Sequence, residues 1–161
     1  MKPIVLATDG SPSAAEATLE ALELAKALGA PLVAVGVEHV VIPGYGYYGY
    51  AEVVSELAKM EKEHVEKTLA EAKAAAAEAN VECDVVSATG AVAEAICQIA
   101  TQRNARLIVI GAHGWGPVRR LLHGSTSTAV LHQAHCPVLV VRGGAEVLAA
   151  AAVDGSEALA R

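Results

Sequence analysis

Phenylalanine is absent from this chain of 161 residues and tryptophan occurs once, although 53% of the residues are hydrophobic. A core with so few large aromatics must be made of alanine, valine, leucine and isoleucine, which suits helices packed closely on a sheet. Cysteine is scarce as well. Cys83, Cys97 and Cys136 are odd in number, sit in apolar patterns and form no Cys-x-x-Cys pair, so reduced core thiols are expected rather than a metal or redox site. Positive charge is in deficit, with 12 Lys and Arg against 18 Asp and Glu and a net charge of −6. That balance argues against broad binding to nucleic acid or to an anionic membrane, and leaves room only for a local basic patch. No apolar run approaches the roughly 20 residues needed to span a bilayer. Met1-Lys-Pro-Ile enters a short strand without a signal-peptide layout, so a cytoplasmic location is expected. Two phosphate-binding signatures are missing too. There is no GxxxxGK[ST], and the turn after the first strand, Thr8-Asp-Gly-Ser11, carries one glycine and an acid where a dinucleotide pyrophosphate would lie.

What is present alternates between two periodicities. Ile4–Ala7 reads as a short buried strand, and Ser11 with Pro12 as the N-cap and first residue of a helix. Ala14, Ala17, Ala21, Leu24, Ala25 and Leu28 recur at helical spacing, and Gly29 is placed to stop that helix. Pro31 opens a second strand, Leu32–Val37. From Val40 to Tyr50 all four tyrosines lie among glycines, which predicts a mobile loop whose tyrosines either stack on a base, cover a partner or pack on their own domain. A long helix is predicted over 51–79, with Leu57, Met60, His64, Val65, Leu69, Ala72 and Ala76 as one stripe and a solvated charged face opposite. Asn80 ends it. Val81–Val86 reads as a half-exposed edge strand, Gly90 precedes a helix with Val92, Ile96, Ile99 and Ala100 inward, and Leu107–Ile110 is a strand buried on both faces. A helix over Ser125–Ala134 and a strand over Val138–Val141 complete the series. Five strands alternating with four helices imply an α/β fold, a parallel sheet with helices on both faces. Two strand orders compete at this point, the flavodoxin-like one and 3-2-1-4-5. Either places ligands at the carboxyl ends of the strands, at the switch point between the first and fourth. The residues after Arg142 (143–161) are expected as a flexible tail carrying no chemistry.

The fourth strand leads into the most informative stretch. Its glycines and hydroxyls are spaced Gly111-x2-Gly114-x9-Gly124-Ser125, with Thr126 and Ser127 following and Cys136-Pro-Val-Leu-Val-Val141 beyond. Glycine lets backbone N–H groups approach an anion, and a helix start adds unpaired donors and a favourable dipole. A strand–loop–helix connection without a ligand uses the same residues, so glycines alone leave both readings open. Taken with Ile4-Val-Leu-Ala-Thr-Asp-Gly-Ser11 and Gly90-x5-Ile96, the spacing resembles the nucleotide-binding branch of the universal stress protein family over about residues 1–142.

That resemblance implies a Rossmann-like single domain with strand order 3-2-1-4-5, adenine nucleotide as ligand and ATP, with or without Mg²⁺, as the cofactor. It also implies a site. Asp9 would accept hydrogen bonds from the ribose, Ala7 and Thr8 would line the adjoining backbone, and Val37 would touch adenine. Ile110 and Gly111 would flank base or ribose, with His113 and Gly114 near the phosphates. Gly124, Ser125, Thr126 and Ser127 would receive the β- and γ-phosphates; Thr126 stands where valine is frequent in the family. Other readings of these residues stay open: Asp9 as a turn residue, Ser125 as a plain N-cap, His113 as a polar loop residue. Trp115, Arg119 and Arg120 in the loop are assigned no role. His132-x2-His135-Cys136 invites a metal reading but lacks a fourth ligand at suitable spacing. No catalytic constellation is evident, so slow hydrolysis or none is expected. The resemblance further implies a homodimer through the last strand, Val138, Leu139, Val140 and Val141. The competing functions are a nucleotide-responsive stress or signalling module with an unknown protein partner, a weak ATPase or phosphotransferase, and a ligand-free dimeric adaptor.

Overall fold

A computed structural model describes residues 1–39, 51–113 and 125–142. The elements run β1 (Ile4–Ala7), α1 (Pro12–Leu28), β2 (Leu32–Glu38), α2 (Ala51–Glu78), β3 (Cys83–Thr89), α3 (Val92–Gln102), β4 (Leu107–Gly111), α4 (Ser125–Gln133) and β5 (Val138–Val141). The five strands form one parallel sheet in the order β3-β2-β1-β4-β5. This is the order that the resemblance implied, and it rules out the flavodoxin-like alternative. The predicted tyrosine loop, the tail 143–161 and the residues 114–124, with Gly114, Trp115, Arg119, Arg120 and Gly124 among them, lie outside the described residues.

Strand β1 sits in the middle, and period-two alternation divides its side chains between two cores. Ile4 and Leu6 join Leu32, Ala34 and Val109 against the alanines of α1 and the Val65–Ala76 face of α2. Val5 and Ala7 join Val33, Val35, Ile108 and Ile110 against Ile96, Cys97, Ile99 and Ala100 of α3 and Val130 of α4. Ile4, Val5 and Leu6 are fully buried, each worth roughly 1.5–3 kcal/mol in apolar transfer. The helices form where their ends are satisfied. The Ser11 hydroxyl accepts from the Ala14 N–H at 3.3 Å, Pro12 takes the first position, and Gly29 closes α1 at φ +59°. Asn80 ends α2 in the same left-handed region, at φ +56°.

Three expectations are corrected. Leu57 and Met60 were expected inward but are 59% and 58% exposed, because 28 residues of helix are longer than the sheet they cover. At the usual rises α2 runs about 42 Å, whereas the seven-residue strands beneath it run about 23 Å. The helix therefore overhangs, and its buried face starts at Val65. In α1 the buried leucine is Leu22, while Leu28, at the end of the last turn, is exposed. Strand β3 begins at Cys83 rather than Val81 and reaches Thr89; Val81 is instead a buried residue of the turn, its N–H bonded to the Ala76 carbonyl.

All three cysteines are unpaired by disulfides; Cys97 is buried, as a core position implies, whereas Cys83 and Cys136 are only half-buried. Burial pushes all three thiol pKa values up, and for Cys97 the neighbouring Cys136 adds to the effect. Thiolate, the reactive form, is thereby disfavoured.

Gly36 in β2 sets how closely α2 approaches. A Cβ there would lie 2.7 Å from Val65 Cγ1 and 3.3 Å from Leu69 Cγ, both buried. Gly36→Ala is expected to lower unfolding stability by about 1–3 kcal/mol through overpacking, as read by urea denaturation. An unchanged midpoint would show that α2 can retreat without cost.

Candidate nucleotide site

The register brings the predicted residues to one rim. Ala7 pairs with Val35 on one side and Ile110 on the other, so Val37 stands two residues further along β2 and Gly111 one residue further along β4. All of these lie at the carboxyl end of the sheet, where β1 separates strands reached in opposite directions. Ala7, Val37 and Ile110 share the face covered by α3 and α4. Val37 is half-buried, whereas Ala7 and Ile110 are nearly closed off by the core. Asp9 follows two residues beyond β1. Its Oδ1 accepts the Ser11 N–H at 3.0 Å, an Asx turn that leads into α1. Thr8 continues the ladder by donating its N–H to the Val35 carbonyl at 3.0 Å.

The two helices that start from the central pair β1 and β4 are α1 and α4, and neither carries an acidic residue in its first turn. At the start of α1 the Asp9 carboxylate takes the Ser11 N–H and the Ser11 hydroxyl takes the Ala14 N–H, so that end is capped from within the chain. In α4, Ser125 is exposed, Thr126 half-buried and Ser127 buried. The Ser127 hydroxyl donates to the Ala112 carbonyl at 3.3 Å, which ties the first turn of α4 to the end of β4.

Gly111 has a structural duty there. A Cβ on it would lie 2.6 Å from Ser13 Oγ and 2.8 Å from both the carbonyl carbon and oxygen of Ser13. The first turn of α1 thus passes directly over β4. Ser13 Oγ accepts the His113 N–H at 3.3 Å, and Ser11 Oγ donates to the His113 carbonyl at 3.4 Å. The backbone of His113 is stitched to the start of α1 on both sides.

Ser13 in this role was not anticipated, and Ser11 was read only as a cap. Spacing carries no trace of a contact made across 100 positions of sequence. His64 was placed on the apolar stripe of α2, yet its ring Nε2 lies 2.9 Å from the Asp9 carbonyl. Its one signal was a polar residue among apolar ones. Glu61, read as part of the solvated face, accepts the His39 N–H beyond β2. Among the described residues no cluster of three His, Cys, Asp or Glu could hold a metal ion, and His132, His135 and Cys136 form none. No described helix is long and apolar enough to cross a membrane.

A doubly wound parallel sheet of order 3-2-1-4-5 with helices on both faces and a glycine exit from β4 defines a Rossmann-like α/β protein. The match to known proteins is more particular. The model of the universal stress protein family matches residues 1–142, and the chain belongs to that family. It is 37% identical over 142 residues to the universal stress protein MJ0531 of Methanocaldococcus jannaschii, covering 88% of this chain and 82% of that protein. The solved universal stress protein UspA from Lactobacillus plantarum superposes with a TM-score of 0.78 at 28% identity, over 88% of this chain and 97% of the other. A second solved member, a universal stress protein in complex with cAMP, superposes at 0.65 with 26% identity over 87% and 96% of the two chains.

Gly111→Ala is expected to lower the thermal midpoint of the nucleotide-free protein, because the backbone of α1 as well as the Ser13 hydroxyl meets the added methyl. A variant as stable as the parent would show that the first turn of α1 is free to move off β4.

Proposed function

We propose that this chain binds ATP at the carboxyl rim between β1 and β4 and acts as a nucleotide-responsive stress or signalling module in the cytoplasm. The observation that carries this reading is the convergence of Asp9, Val37 and the first turn of α4 at the switch point of the sheet. The chemistry fits an adenine nucleotide. Val37 offers an apolar edge for the base, with Ala7, Thr8 and Ile110 behind it. The Asp9 carboxylate suits ribose hydroxyls, which donate to it. The first-turn N–H groups at Ser125, Thr126 and Ser127 suit phosphate. The relative in complex with cAMP supports adenine recognition by this fold. Gly114, Gly124 and His113 complete the assignment as the phosphate-side residues.

Little or no hydrolysis follows from the same assignment. In-line attack on a γ-phosphate needs a group that orients water there, with Mg²⁺ bridging the phosphates. The reading spends Asp9 at the opposite, ribose end. A protein partner would then read the nucleotide state. The decisive experiment is calorimetric titration of nucleotide-stripped protein with ATP and AMP, each with Mg²⁺. ATP is expected to bind well and AMP much more weakly. Asp9→Asn keeps the acceptor for Ser11 but removes the charge, and is expected to weaken ATP roughly tenfold or more. No binding of either nucleotide would favour the ligand-free adaptor, and multiple Mg²⁺-dependent turnovers would favour the ATPase.

We also propose a homodimer through β5. It is the edge strand of the sheet, and Val138, Leu139, Val140 and Val141 are all only half-buried. An apolar edge strand presents unpaired backbone groups beside apolar side chains, which invites pairing. Sedimentation at micromolar concentration is expected to give a dimer, and Val140→Lys a monomer. A parent protein that sediments as a monomer overturns this part.

A further inference from the structure

The turn after β1 is held from a direction that the nucleotide reading does not use. His64, on α2 and 55 positions away in sequence, places its imidazole Nε2 2.9 Å from the Asp9 carbonyl oxygen. A carbonyl only accepts, so Nε2 carries the hydrogen and donates it. One turn further along α2, the buried Thr68 puts its Oγ1 2.9 Å from where a Cβ on Gly10 would lie, and His64 Cε1 is 3.5 Å from the same point. Two side chains on one face of α2 therefore bracket the Asp9–Gly10 peptide.

That peptide is coupled to the Asp9 carboxylate through the Ser11 N–H, which Oδ1 accepts. When it turns over, the ψ of Asp9 and the φ of Gly10 rotate together. Gly10 sits at φ +73°, and glycine occupies positive and negative φ with similar ease. The peptide therefore has no steric lock of its own. The Asx bond from the Ser11 N–H to Asp9 Oδ1 spans the same peptide, so a flip would redirect the carboxylate with it.

We propose that His64 is a positioning residue for nucleotide binding. Its Nε2–H fixes the Asp9–Gly10 peptide in the orientation that aims the Asp9 carboxylate at the ribose, with Thr68 as the steric half of the clamp. The proposal rests on the adenine-nucleotide reading above, while the clamp itself belongs to the unliganded chain.

The test compares the full chain with His64→Leu, which has no donor, and His64→Gln, which keeps a side-chain N–H. Each is titrated with ATP and with 2′,3′-dideoxy-ATP after its thermal midpoint is measured. The parent is expected to prefer ATP. His64→Leu should shrink that preference about three- to tenfold, the worth of one misdirected hydrogen bond, with dideoxy-ATP affinity unchanged. His64→Gln should restore it. An undiminished preference in His64→Leu overturns the proposal, as does an equal loss for both ligands that follows the thermal midpoint. A parent that binds both ligands equally also overturns it, since no ribose contact exists to be aimed. A parent that binds neither defeats the nucleotide reading instead. The clamp is then judged separately, by the three-bond HN–Hα couplings of Gly10 in the nucleotide-free forms, which report φ. They should change in His64→Leu and hold in His64→Gln; identical couplings in all three forms refute the clamp.

Discussion

The first turn of α1 lies across the end of β4, and the geometry of the carboxyl rim depends on that contact. Ser11 and Ser13 bond both backbone groups of His113, and Gly111 leaves the space in which Ser13 sits. Each hydrogen bond is modest, worth roughly 0.5–1.5 kcal/mol. Their effect is geometric: they hold the exit of the fourth strand against the start of the first helix. With Ser127 tied to Ala112, both helix starts are locked to one strand end.

Beneath the rim, the sheet is an aliphatic wall between an alanine-rich layer, α1 and α2, and a layer of α3 and α4 that buries Ile96, Cys97, Ile99, Ala100 and Val130. Helix α1 can lie close because its buried face is Ala14, Ala17, Ala21 and Ala25, with Leu22 beside them. Gly36 does for α2 what those alanines do for α1, giving up a side chain so that Val65 and Leu69 can approach. The wealth of alanine thus serves close approach on this face of the sheet, through the buried face of α1 and the space left at Gly36. Helix α2 divides its length between two tasks. From Val65 onward it is core, and before that it carries Val53, Leu57 and Met60 into solvent beside Lys–Glu pairs one turn apart. Those exposed ion pairs add little stability individually.

Membership of the universal stress protein family gives the rim its context, and the packing refines it. Residues that look like ligand contacts from spacing also hold the fold together here. Gly111 admits α1, Ser127 anchors α4, and Asp9 closes a turn with Ser11. A loss of binding on mutating any of them therefore has two possible causes, and only a stability measurement made alongside separates them.

Much of the architecture was legible because it depends on local physics. Pro12 after Ser11, Gly29 and Asn80 mark helix ends through backbone conformations that few residues adopt. Short apolar runs bounded by turn residues, such as Ile4–Ala7 and Leu107–Ile110, read as buried strands, and both form them. Strand order came from the likeness of Gly111-x2-Gly114-x9-Gly124-Ser125 to a family, since periodicity leaves two windings of the same units open. What the chain could not declare was every contact made across long separations. Where the core face of α2 begins depends on the length of the strands beneath it. That Ser13 meets Gly111 and His64 reaches Asp9 depends on how far α1 and α2 lie from β4 and β1. The sequence alone determined the elements, because hydrophobic period and end-capping act within a few residues. The tertiary structure alone decided which polar groups share the rim, because those distances exist only once the helices are packed on the sheet.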